Sequence, residues 1–499
     1  MPETLRALAI ILVIATLFFA FVNSFANTFT KVEDFKLRRN LWLALTIAAF
    51  LANNFWIYLA IAVPLLIHFK RHESNIPALF FFILFVLPMA TIQIPGLGLI
   101  NFLFDISYQR VLFLLILLPA FLFLLGRSDT PPIGRTGPDK ALLAYLLLSV
   151  MIFLREENFT NLMRQFFYMF IDVFLPYFVI SRSLKDSQSF RDAILSLVLA
   201  IMVLAPLAIF ESLKHWLLYA SVKASLGLED GMTGYLGRDG ILRAITSTGQ
   251  PIVLGYLMVV GLGLYFFLQP SIKKKFNRRI GLALLITGLI APLSRGPWVG
   301  SLVLLIVFTI TGRKPARRLM SMAMAALIIF PLLTIVPGGD RLINLLPFIG
   351  SMDKGSVDYR SDLLTNSMIV IQRNLWFGSN NFLDTPEMEA LRQGEGIIDI
   401  VNSYIGITLE YGVVGLGLFV SFFALVLLGI FRAMRSISDK SSEEYLLGRV
   451  LLSTLLAILV TIFTVSSISL IPIIYWSVAG LGVAYVQMVR KMQRDDVRH

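Results

Sequence analysis

The chain has 499 residues, of which 57% are apolar and 15% charged, with a formal net charge of +12. Apolar runs of membrane length recur from end to end, continuous rather than alternating, which excludes a β-barrel and points to a polytopic helical membrane protein. The positive charge lies in short loops, where it encodes topology instead of nucleic-acid binding, and the absence of cysteine excludes disulfides, thiolate metal sites and thiol catalysis.

Membrane spans are predicted near 5–24, 41–68, 77–92, 110–126, 141–154, 162–181, 193–212, 251–270, 280–293, 298–312, 319–336, 402–431, 446–467 and 471–489. Ser24-Phe25-Ala26 imitates a signal-peptidase site, but the many spans that follow argue for a retained first helix. Asn53-Asn54 interrupts 41–68, which is expected to form two short helices. The fold class is therefore all-α, a bundle of about 12 to 15 spans. It divides into N-terminal helices 1–190, a core 191–432, and 433–499 with a basic tail. Loops 127–140, 182–192, 272–279, 313–318 and 432–445 are rich in lysine or arginine and belong in the cytoplasm. Alternation leaves two long loops outside, 213–250 and 337–400. Lys36, Arg38 and Arg39 conflict with the simplest helix count and leave the N-terminal side open.

Two of the outer segments carry the first candidate residues. Leu236 to Pro251 contains Arg238, Arg243 and several hydroxyls just before a helix, an arrangement that favours an anion. Between Ile280 and Gly312 the only charge is Arg295, in Pro292-Leu293-Ser294-Arg295-Gly296-Pro297-Trp298. As one helix this stretch would be roughly 50 Å long against a hydrocarbon core of about 30 Å, so it must fold back at the prolines and Gly296. Basic clusters flank the hairpin on both sides and place Arg295 on the outer face, recessed by short arms. An arginine held there needs an anionic partner, which makes Arg295 and the neighbouring Ser294 candidates for anion binding.

The loop 337–400 is expected to build its own helices. Leu364, Met368 and Ile371 recur at helical spacing after Arg360, while Thr385 and Pro386 open a second short helix that Gly394 stops. Such a loop reads as a cap that handles substrate. Arg360, in Tyr359-Arg360-Ser361-Asp362, adds a third arginine, whose planar fork suits phosphate. A fourth segment opens the helix at 402, with Asn402, Gly406 and Glu410 on one face and Asp399 at its start. Glu410 lies roughly 12 Å along that helix and reads as an intramembrane carboxylate, with Arg295 as its expected charge partner. Either Asp399 or Glu410 could serve as general base, or pair with an arginine. Tyr404 and Trp376 could stack on sugars or belong to an interfacial belt. The four histidines show no ligand spacing, so no metal or other cofactor is expected.

Arg243 followed by Gly249-Gln250-Pro251, the Ser294-Arg295-Gly296 hairpin, Arg360 ahead of Trp376-Phe377-Gly378-Ser379-Asn380, and Asn402-Ser403-Tyr404 leading to Glu410-Tyr411-Gly412-Val413-Val414-Gly415 resemble, in order and spacing, the O-antigen ligase/polymerase family. The resemblance covers roughly residues 190 to 430. It implies a bacterial inner-membrane glycosyltransferase of the GT-C type, facing the periplasm and needing no metal. The implied donor and acceptor are oligosaccharides on undecaprenyl pyrophosphate, with Arg243 and Arg295 on the pyrophosphate. A chain-length regulator or export machinery would be the protein partner. Ligases of the family typically carry a histidine directly before the asparagine, where this chain has Val401. That shifts the expectation from a ligase to a polymerase of exopolysaccharide, capsule or O-antigen repeats. A flippase for the same lipid-linked sugar is the rival of another class, although no internal repeat supports it.

Overall fold

The computed structural model describes residues 2–96, 98, 101–156, 158–228, 237–238, 240–335, 343, 354–393 and 396–496. Among them, ten helices are long and apolar enough to cross a membrane, and the apolar helix Arg295–Ile310 is shorter. The only sheets among the described residues are two small antiparallel hairpins, Thr91–Pro95 with Phe102–Ser107 and Gly237–Arg238 with Ile241–Leu242. The protein is an all-α polytopic membrane protein.

The stretch 41–68 is divided as expected, into Val32–Leu51 and Phe55–Arg71, because the Asn54 side chain accepts from the Trp56 and Ile57 N–H groups and caps the second helix. The expected span 77–92 differs. Its helix stops at Ile83, and the chain turns through Pro88 into the first hairpin strand. Arg38 is likewise no loop charge: it is buried in ion pairs with Glu73 and Asp192, which tie the N-terminal helices to the core.

At the centre runs Pro251–Leu268, buried along almost its whole length. Its glycines admit neighbouring helices closely, as small residues do in membrane bundles. A Cβ on Gly255 would come within 2.8 Å of Pro297, one on Gly261 within 2.8 Å of Ile201, and one on Gly263 within 2.2 Å of Thr454. The helix thereby fixes the Lys275–Ile290 and Arg295–Ile310 hairpin against Glu443–Ile462.

The described part of the second long loop forms the helix Lys354–Arg373 and a single turn, Pro386–Glu389, preceded by Thr385. The turn ends before Gly394, which lies outside the described residues. The buried stripe of the longer helix is Leu363, Ser367, Val370 and Ile371. Leu364 and Met368 point outward at 52% and 46% exposure, so the apolar face is rotated from the one the spacing predicted. Leu363, Val370 and Ile371 close a small core with Met388, Leu391 and Leu409, and this seats the cap on the start of the Ser403–Arg435 helix. Each such side chain contributes about 1.5–3 kcal/mol when fully buried.

That last helix is broken at Gly412, with φ 66° and ψ −171°. Three main-chain bonds occupy the break. The Ser379 N–H donates to the Leu409 carbonyl at 2.9 Å, Val413 to Leu375 at 2.9 Å and Val414 to Trp376 at 3.2 Å. Gly378 packs on the same backbone, where a Cβ would lie 2.6 Å from the Glu410 carbonyl group. From Val413 to Arg432 the helix covers about 30 Å, one hydrocarbon thickness. Glu410 lies two residues before this break.

Candidate active site

The 280–312 hairpin turns at Ala291–Ser294, with Leu293 in the left-handed region at φ 48°, and Arg295 is the half-buried first residue of the returning helix. Arg243 clasps this turn. Its Nε donates to the Pro292 carbonyl at 3.0 Å and its terminal nitrogen to Ser294 Oγ at 2.9 Å, while the Ala244 N–H reaches the Ala291 carbonyl. Arg243, Ser294 and Arg295, separated by up to 52 positions in the chain, are thus gathered at one helix N-terminus, the positive end of its dipole. Arg238 lies in the short strand Gly237–Arg238, and its side chain falls outside the described residues.

The Arg243 segment is held by Glu211, a carboxylate that sequence reasoning missed. Fully buried, it accepts from the Leu218 N–H on one oxygen and from the Ile245 and Thr246 N–H groups on the other. A lone acid near the end of the apolar run 193–212 was the available signal.

On its other side the Arg295 turn meets the connection 463–469 between Glu443–Ile462 and Leu470–Asp496. A Cβ on Gly296 would come 2.2 Å from Thr464 Oγ1. Arg360 donates to the Thr464 carbonyl at 3.3 Å. Ser403 donates through both N–H and Oγ to the Val465 carbonyl, and Ser467 Oγ donates to Ser403 Oγ at 2.8 Å. Ser466 Oγ donates to Asp399 Oδ1 at 2.5 Å. One short connection therefore touches the turn that carries Arg295 and bonds both Arg360 and Asp399. The span expected at 446–467 takes in most of it. Its run of Thr464, Ser466, Ser467 and Ser469 between apolar helices was the overlooked mark.

Asp399 is half-buried, and its backbone exchanges two hydrogen bonds of 3.0 Å with the Tyr359 hydroxyl. Burial raises its pKa above the ordinary carboxylate value, against the opposing effects of the Ser466 hydrogen bond and the Arg360 charge. A carboxylate raised in this way is a stronger proton acceptor. Glu410 stands apart from this group. Its neighbour is the Tyr411 hydroxyl, with Tyr145 and Tyr475 nearby, and no described residue forms an ion pair with it. The expected Arg295–Glu410 pair does not form among the described residues, where the groups that interact with Glu410 are tyrosines.

Asn402 and Tyr404 belong to the frame. Asn402 Oδ1 accepts from the Tyr404 and Ile405 N–H groups as the helix N-cap, and the Tyr404 hydroxyl donates to the Leu459 carbonyl at 2.9 Å. Trp376 is 64% exposed beside the helix break, an interfacial position. Among the described residues no three carboxylates or histidines cluster as metal ligands.

Residues 280–420, from the Arg295 hairpin through the first turns after Gly412, match the family described as O-antigen ligase. No curated protein matches the chain.

Proposed function

From the match of residues 280–420 to the family described as O-antigen ligase, we propose that the protein is a glycosyltransferase of the outer face of the bacterial inner membrane that polymerises oligosaccharide repeats carried on undecaprenyl pyrophosphate. The observation that carries the reading is the convergence of Arg243, Arg295 and Arg360, from three separate segments, on the turn and connection that also hold Asp399.

In the proposed reaction, a hydroxyl oxygen of the incoming lipid-linked repeat attacks the anomeric carbon of the growing chain. The bond from that carbon to the pyrophosphate oxygen breaks with its electrons, undecaprenyl pyrophosphate leaves, and configuration inverts. Asp399 takes the hydroxyl proton. Pyrophosphate is a good leaving group, so the protein's task is to stabilise the charge that develops on it and to orient the acceptor. Arg243 and Arg295 supply fixed, forked donors at a helix N-terminus, with Arg360 as a third. These arginines supply the positive charge, so the reading includes metal independence. Ser294, already bonded to Arg243, sets the geometry of the pair.

A second reading, a ligase that attaches a finished chain once to lipid A-core or protein, draws on the description of the matched family. Val401 before Asn402, where such ligases carry histidine, weighs against it. The glycan of a deletion strain separates the two. Single lipid-linked repeats support the polymerase, and full-length unattached chains support the ligase.

A further inference from the structure

At the end of the bundle away from Asp399, a cavity of about 290 Å³ opens between the last turns of Ser403–Arg435, the helix Leu470–Asp496 and the start of Gly137–Glu156. Leu425, Leu428 and Val486 line its apolar floor, and Arg135, Arg432 and Arg490 stand at its rim. No carboxylate lines it. Arg38, Arg182 and Arg191, also at this end of the bundle, are each paired with aspartate or glutamate. The three rim arginines form no such pair among the described residues. The Gln487 side-chain nitrogen lies buried at the same cavity with no acceptor.

Topology alone accounts for arginines in loops at this face. It does not account for three guanidiniums from three elements around one lipid-accessible floor, nor for a buried donor left without an acceptor, which costs about 1–3 kcal/mol. We propose that this groove binds an anionic diacyl phospholipid. Its phosphodiester bridges Arg135, Arg432 and Arg490, an ester oxygen accepts from Gln487, and one acyl chain lies along Leu425, Leu428 and Val486. Basic pockets between membrane helices at this interface are suited to acidic headgroups, and Leu425 and Leu428, at 40% and 48% exposure, offer apolar surface to an acyl chain.

The test uses the full-length protein in vesicles of phosphatidylethanolamine and phosphatidylglycerol, released into native mass spectrometry to count retained lipids. The wild type should retain phosphatidylglycerol selectively. Each arginine contributes about fivefold, so Arg135→Gln with Arg490→Gln should lower retention roughly twenty-fivefold. Leu428→Trp, which fills the floor and changes no charge, should lower it as well. Arg317→Gln with Arg318→Gln, at exposed positions outside the groove, should leave it unchanged. Equal retention by wild type and the Arg135/Arg490 variant overturns the proposal. So does an equal loss in the Arg317/Arg318 variant, which would mean surface charge only, or undiminished binding after Leu428→Trp. Displacement of the lipid by millimolar inorganic phosphate would also overturn it, because the acyl chain would then contribute nothing.

Discussion

Replacing Gly412 with alanine asks whether the break in the 403–435 helix is what holds the cap. The backbone there, φ 66° and ψ −171°, is a region open essentially to glycine, and a side chain in it costs about 1–3 kcal/mol. A Cβ would also lie 2.3 Å from the Trp376 carbonyl group, so the 375–379 segment has to move away. Moving it breaks the Ser379–Leu409, Val413–Leu375 and Val414–Trp376 bonds, each worth about 0.5–1.5 kcal/mol net. Staying docked costs strain and leaving costs hydrogen bonds, so the variant loses about 3 kcal/mol of docking by either route. That is roughly a 150-fold fall in the docked population. Hydrogen exchange at Ser379, Val413 and Val414 in detergent reads it directly, and protection at all three should collapse. Gly417→Ala is the control, since a Cβ at Gly417 meets nothing within 4 Å and alanine favours the helix by about 1 kcal/mol. Unchanged protection in Gly412→Ala would refute the argument that this glycine sets the cap.

Arg295→Lys should leave membrane insertion intact and reduce polymer formation at least about tenfold, because a forked donor becomes a point charge; wild-type polymer length and yield at equal protein level would remove Arg295 from the mechanism. Asp399→Asn should abolish turnover. Its melting temperature should not fall at pH 7: the pKa of Asp399 is raised in the fold, so its contribution to stability is present below its unfolded value and lost as pH rises through the folded one. Wild-type turnover should correspondingly increase as pH rises through that folded value, and a pH-independent rate would count against Asp399 as base. Glu211→Gln replaces one acceptor oxygen with a donor facing main-chain N–H groups, which should lower stability by about 1–3 kcal/mol in thermal melting and weaken donor binding through Arg243; an unchanged melt would show that the carboxylate does not hold that segment. Purified protein should extend lipid-linked repeats in excess EDTA, and loss of activity restored by magnesium would replace the arginine mechanism.

The helical class and most span positions were legible because membrane helices are written as continuous apolar runs. The Arg295 hairpin was legible because a 33-residue apolar stretch cannot cross once. The failures share a cause. The strand at 91–95, the outward face of Leu364 and Met368, and the place of Glu410 depend on partners far away in sequence: residues 102–107, the Met388–Leu391 core and the 375–379 segment. Local sequence context marks Arg243 and Arg295 as anion-binding candidates, but only the fold shows Arg243 clasping the turn that carries Arg295. Asn402 and Tyr404 are candidates by spacing, and the cap and packing bonds that the fold gives them could not be read from that spacing.

The connection 463–469 lies beyond residue 420, where the match to the ligase family ends. A fragment that kept every matched residue and stopped after the 403–435 helix would deprive Arg360, Ser403 and Asp399 of the partners they have on this connection. The carbonyls of Thr464 and Val465 and the hydroxyl of Ser466 would be gone. The segment that similarity marks out is therefore not a transferable module. Grafts or chimaeras that exchange specificity between relatives have to carry the final helix pair together with the matched region, or the arginines will lose their common anchor.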